Sequence, residues 1–185
     1  MPVEVDSQAY TFLPVSPVSS DFLIQETPPL PPFRQNYLHD LESIWWIAAF
    51  ILFCCRDKSE EKEWSEQEAH QVTEQLQVVH QMFPRVLHSA SRHRIFTVSS
   101  VFTHLIKHLP SAFLPVASRL DGARGVLVER YMIAEAGSVI DEAAFIGIDQ
   151  QMIDVLGLAR TLSGQTQLFS LFEVVKMLKR KLGVM

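Results

Sequence analysis

The sequence predicts an all-α domain, with helices packed around one buried central helix and an extended, proline-rich leader in front. Three observations carry this. Seven of the ten prolines (Pro2, Pro14, Pro17, Pro28, Pro29, Pro31 and Pro32) fall within residues 1–37, where each removes a donor and clashes with the preceding turn of a helix. From Leu38 onward the apolar residues recur at helical spacing. Alternating apolar–polar strand patterns are scarce. The expected division is a leader over 1–37 and a helical domain over 38–185.

The elements follow in chain order. Pro28 to Pro32 should be extended, polyproline-like chain. Leu38 to Cys55 reads as one helix that is apolar almost all round, which implies burial on every side. Leu41, Ile44, Trp45, Ile47, Ala48, Ile51, Leu52 and Phe53 are its candidate core residues. Arg56 to Trp64 reads as a charged loop. Ser65-Glu66-Gln67-Glu68 has the form of a capping box, and Val72, Leu76, Val79 and Phe83 then make one stripe of a helix that Pro84 limits. A further helix is expected from about Val98 to Leu109. One or two helices lie between Phe113 and Ile148, interrupted by Gly122, Gly125, Gly137 and Gly147. Gln151 to Leu162 is a short helix. Leu168 to Leu182 is the last, with Leu168, Leu171, Phe172, Val175, Leu178 and Leu182 on its apolar face. Lys176, Lys179, Arg180 and Lys181 sit at its C-terminal end, where cations favour the helix dipole.

Composition narrows the function. A net charge of −5 and a pI near 5.8 argue against a nucleic-acid or membrane-surface binder, which would be basic. Met1 to Asp6 has neither the basic nor the apolar segment of a signal peptide. The apolar run Ile44 to Cys55 is shorter than the roughly 20 residues of a membrane span. Cys54 and Cys55 are adjacent within that run, which suits buried, reduced thiols. An intracellular protein, cytoplasmic or nuclear, is therefore expected.

The most distinctive stretch runs from Pro31 to Ile47. Its centre is His39-Asp40-Leu41-Glu42-Ser43, followed by Ile44-Trp45-Trp46. It resembles the fungal-type protein kinase family, in which an H-D-L-E-S run followed by aromatic residues opens the buried central helix of the C-terminal lobe. The resemblance covers about 25 residues, Pro31 to Cys55. It implies a fold like that lobe and marks His39, Asp40, Leu41, Glu42, Ser43, Trp45 and Trp46 as motif residues. By the same resemblance Asp40 would accept hydrogen bonds from a catalytic loop; read from the residue alone, Asp40 caps a helix N-terminus.

Phosphoryl transfer also needs a glycine-rich loop, a phosphate-binding lysine, a catalytic aspartate and a magnesium-binding aspartate. The sequence has no G-x-G-x-x-G, no V-A-I-K-like lysine before the helix and no A-P-E. Asp21-Phe22-Leu23 and His93-Arg94-Ile95 imitate D-F-G and H-R-D only in part, and about 39 residues before the motif are too few for an ATP-binding lobe. The expectation is a non-catalytic, kinase-like binding module or truncated gene product. No catalytic, cofactor-binding or metal-ligating residue is assigned and no cofactor is expected for this chain, whereas ATP and magnesium would be expected of a complete family member. The alternative is the C-terminal part of an active serine/threonine kinase whose N-terminal portion is missing. A third reading is an unrelated helical interaction domain.

Other candidates have plainer explanations. His104 and His108 are four apart and could face one metal, but zinc needs three or four ligands and no acidic third is evident in the sequence. Pro29-Leu30-Pro31-Pro32-Phe33-Arg34 fits a P-x-x-P-x-R ligand for an SH3-type groove and equally a stiff linker. A protein partner is expected through this segment or through exposed lobe surface, where truncation would leave Trp45, Trp46 or Phe50 as an apolar patch.

Overall fold

The computed structural model describes residues 2–13, 32–57, 66–84, 90–137, 139–163 and 168–181. Within them the chain is all-α apart from one short ladder. The helices are α1 (Val3–Ser7), α2 (Tyr37–Cys54), α3 (Glu66–Met82), α4 (Ala90–Thr97), α5 (Ser99–Ile106), α6 (Leu114–Ala134), α7 (Ile148–Ser163) and α8 (Leu171–Lys181). Strands β1 (Cys55–Asp57) and β2 (Leu168–Ser170) pair antiparallel, with Arg56 opposite Phe169.

Helix α2 is central. It packs against α6 along its length and against α3 and α8 on other sides. Trp45, Ala49 and Phe53 are fully buried, four apart, on the face that meets α6 and α5. The Trp45 indole donates to the Leu120 carbonyl at 2.8 Å, and its ring meets Phe96 and Phe102. This satisfies the polar end of a side chain that otherwise contributes apolar area. Gln75 of α3 donates to the carbonyls of Phe53 and Cys55, which closes the C-terminal end of α2.

Helix α2 is long and apolar enough by composition to cross a membrane, but 56% of it is buried inside the protein. It reads as a core helix. It is not buried on every side, however. Ile44, Ile47, Phe50 and Ile51 are 44–60% exposed, and Ile44, Ile47 and Ile51 form one stripe at helical spacing. Three of the eight expected core residues of this helix thus face outward.

Other expectations shift as well. The leader is not wholly irregular, since Val3–Ser7 forms a helical turn. Arg56 and Asp57 lie in a strand and Leu168–Ser170 pairs with them, so the last helix starts at Leu171. Residues 90–97 form a helix with Ile95 and Phe96 buried in the core; the next helix is Ser99–Ile106, shorter than expected. Gly122 and Gly125 do not interrupt α6, which runs 21 residues through both. Packing of Ala117, Leu120, Ala123, Leu127 and Tyr131 on α2 outweighs the glycine propensity cost. Ser65, Asp21 to Leu23 and Pro29 to Pro31 lie outside the described residues.

Candidate functional site

The motif residues converge at the N-terminal end of α2. Asn36 is the N-cap: its side chain accepts from the Leu38 N–H at 3.0 Å, and its own N–H donates to His39 Nδ1 at 2.8 Å. This is a reciprocal capping box in which an imidazole takes the usual glutamate role. Asp40, expected as the cap, is exposed and accepts from the Gln35 side chain.

The Asn36 bond fixes the histidine's state. Nδ1 accepts an N–H, so it carries no proton, and the neutral ring must hold its hydrogen on Nε2. Nε2 lies 3.0 Å from Glu4 Oε2 and donates to it. Burial lowers the His39 pKa, in agreement with a neutral ring.

Glu42, one turn further along α2, is completely buried. Its Oε1 accepts from the Val3 N–H at 2.7 Å and the Trp46 indole at 2.9 Å; its Oε2 accepts from the Tyr131 hydroxyl at 2.9 Å. Burial pushes the Glu42 pKa up, and the three donors oppose that. Burial, with Glu42 and Glu4 nearby, also raises the pKa of Tyr131 and keeps it a neutral donor.

Two further buried carboxyls complete the cluster. Glu4 accepts from the Thr11 N–H through Oε1. Glu135, at the C-cap of α6, accepts from the Phe12 N–H at 2.7 Å through Oε2. Glu135 Oε1 is buried and meets no hydrogen-bond donor among the described residues. Burial raises the pKa of both Glu4 and Glu135 above the usual carboxylate range.

The cluster ties residues 3–12 to the helical body. Val3, Thr11 and Phe12 each donate a backbone N–H to a different carboxylate, and the Phe12 ring stacks on Tyr131 at 6.0 Å. On the far side of Trp46, the Arg92 guanidinium lies 4.3 Å from its ring centroid. Tyr10 and Arg34 help to wall a cleft of about 290 Å³ with Asn36, Ile140, Glu142 and Phe145.

Of the sequence-marked residues, His39, Glu42 and Trp46 belong to this cluster. Leu41 and Trp45 belong to the core, Ser43 is half-buried and Asp40 is at the surface. Trp45 and Trp46 form no exposed patch; Phe50 is exposed at 46% and contacts Phe83. Glu4, Tyr131 and Glu135 are the residues that sequence reasoning missed. An acidic residue at a helix C-terminus opposes the dipole, and for Glu135 that mismatch is the one visible signal.

The remaining candidates lie elsewhere. His104 and His108 stack at 5.6 Å, and an acidic neighbour does exist: Glu74 lies 3.5 Å from His108 and 3.6 Å from His70. No three such side chains among the described residues are placed to hold a metal ion. Burial drives the Cys54 thiol up to about 12 and raises Cys55, so neither is an activated nucleophile. In comparisons with known proteins, no family model, no curated protein and no solved structure matches the chain.

Proposed function

We propose that this chain is a non-catalytic binding module built like the C-terminal lobe of a fungal-type protein kinase. The observation that carries the reading is the use made of His39, Glu42 and Trp46. These motif residues do not face open solvent where a substrate could meet them. Glu42 accepts the Val3 backbone N–H, His39 holds the Glu4 side chain and Trp46 donates to Glu42, so two of the three grip a stretch of the chain itself, which is peptide-clasping chemistry. The central, largely buried α2 agrees with the role that the resemblance implies for it. The apolar stripe Ile44, Ile47 and Ile51 adds accessible surface of the kind that engages protein partners.

The test is thermal denaturation of the purified chain with and without magnesium and ATP, together with a phosphoryl-transfer assay on a generic serine/threonine substrate. The proposal expects an unchanged melting temperature and no transfer. A saturable rise in melting temperature with Mg–ATP would overturn it and favour the alternative, the C-terminal part of an active serine/threonine kinase.

A further inference from the structure

We propose that the cleft between Tyr10, Arg34 and Glu142 is a binding site for a small zwitterion with an apolar body, a free α-amino acid with a large apolar side chain. The inference stands independently of the kinase resemblance.

The cleft's volume of about 290 Å³ lies at the small end of ligand pockets, which run from about 300 to 1,000 Å³. Its walls come from three parts of the chain: the N-terminal segment at Tyr10, the approach to α2 over residues 32–36, and the connection from α6 to α7 over residues 139–145. Local bonds hold these walls in place. The Tyr10 hydroxyl accepts from the Arg34 N–H at 3.0 Å and donates to the Pro32 carbonyl at 3.4 Å, and its ring lies 5.2 Å from that of Phe33. On the α6–α7 side, the Asp141 N–H donates to the Ala134 carbonyl at 2.8 Å. The Asp141 side chain caps the turn Glu142–Phe145 by accepting from the Ala143 N–H at 2.9 Å.

The lining sets the chemistry of the ligand. Arg34 and Glu142 bring one cation and one anion to the same cleft, yet neither side chain makes an ion pair or hydrogen bond with another described residue. Two opposite charges that line one space without meeting suit a molecule that carries both signs. Its carboxylate meets the guanidinium fork of Arg34 and its ammonium meets Glu142. Asn36 supplies a further donor: its Oδ1 is taken by the Leu38 N–H, so Nδ2 is left for the carboxylate. Ile140 and Phe145 are half-buried and packed on the core, which gives the cleft an apolar wall. Val139, in the same wall, is 76% exposed, and a ligand's side chain would cover it. A ligand of one sign gains one of the two charged residues and is repelled by the other, so the pair also selects against simple anions and simple cations.

Titration of the full chain with L-phenylalanine at neutral pH, followed by nitrogen–proton NMR correlation spectra, tests this. The expected result is saturable shifts at the amides of Arg34, Ile140 and Glu142, with a Kd on the order of 1 mM for a ligand of this size. Two analogues keep the apolar body and drop one charge. N-acetyl-L-phenylalanine, which also imitates a peptide C-terminus, has only the carboxylate, and phenethylamine has only the ammonium. Each should bind at least about tenfold more weakly. Arg34→Gln should weaken phenylalanine about tenfold and spare phenethylamine; Glu142→Gln should weaken phenylalanine equally and spare N-acetyl-L-phenylalanine. Both side chains are exposed and lack a partner among the described residues, so neither change disturbs the fold. Absence of a saturable shift up to about ten times the expected Kd would overturn the proposal. Equal binding of N-acetyl-L-phenylalanine would also overturn it, in favour of a site for a peptide C-terminus. Variants that bind phenylalanine as wild type does would place the ligand elsewhere and overturn it too.

Discussion

Glu42 is the place to test whether the motif's polar residues are structural. Replacing it with leucine keeps roughly the same volume and removes both acceptor oxygens. Three buried donors then lose their partner: the Val3 N–H, the Trp46 indole N–H and the Tyr131 hydroxyl. Each unsatisfied buried donor costs about 1–3 kcal/mol. Relief from burying a carboxylate offsets part of that sum, so the net loss should be about 3 kcal/mol, a large share of the 5–15 kcal/mol typical of a domain. Glu42→Gln keeps one oxygen toward Val3 and Trp46, and the Tyr131 hydroxyl can turn to accept from the amide. Its loss should be about 1 kcal/mol. Urea unfolding followed by far-ultraviolet circular dichroism measures both, with equal slopes required for the comparison. A leucine variant within about 1 kcal/mol of wild type would refute the satisfied-acceptor argument. So would a glutamine variant as unstable as the leucine one.

Four other outcomes follow from the same structure. Gly122→Ala and Gly125→Ala should each stabilise by about 0.5–1 kcal/mol in thermal unfolding, because both lie inside α6 and a Cβ at either meets nothing within 4 Å. Trp46→Asp should prevent folding, read as a collapsed far-ultraviolet signal, since the side chain is 3% exposed and an unpaired carboxylate would replace it. Arg124→Met should cost about 2 kcal/mol in urea unfolding, because the Phe96 carbonyl loses its buried donor and Asp121 its partner. Cys54 should react with a thiol reagent at pH 8 only as fast as the protein unfolds, its thiolate fraction being about one in ten thousand.

What could be read from the chain divides by the range of the interactions involved. Helix α2 was legible because Ile44 to Cys55 is an unbroken apolar run. That same uniformity hid its orientation: with apolar residues on every face, nothing local distinguishes Trp45, which is buried, from Ile47, which is 60% exposed. The β1–β2 ladder joins residues 113 apart through three-residue strands, so neither strand carries a readable pattern alone. The N-terminal strap, residues 3–12 held over the start of α2, is the clearest case. Val3-Glu4-Val5-Asp6 reads as polar leader, and Glu4 becomes a core residue only because His39 and Glu135 arrive from far along the chain. Helix α6 failed in the opposite sense: two glycines signalled an end, but each points away from α2 while their neighbours Ala123 and Leu127 are buried in the core.

The arrangement at the end of α2 also bears on why a histidine and a glutamate stand three apart in the motif. That spacing places both on one face of the first turn. His39 closes the cap through Nδ1 and reaches outward through Nε2, while Glu42 gathers donors from the strap, from its own helix and from α6. One residue thus links the helix start to the strap, and the other links the strap to the helical body. The pair accounts for its own burial without any bound substrate. It follows that a His39→Gln variant, whose shorter-reaching amide cannot serve both Asn36 and Glu4 at once, should loosen the strap as well as the helix start. Exchange at Thr11 and at Leu38 should rise together. A rise at Leu38 alone would separate the two roles and refute the coupling.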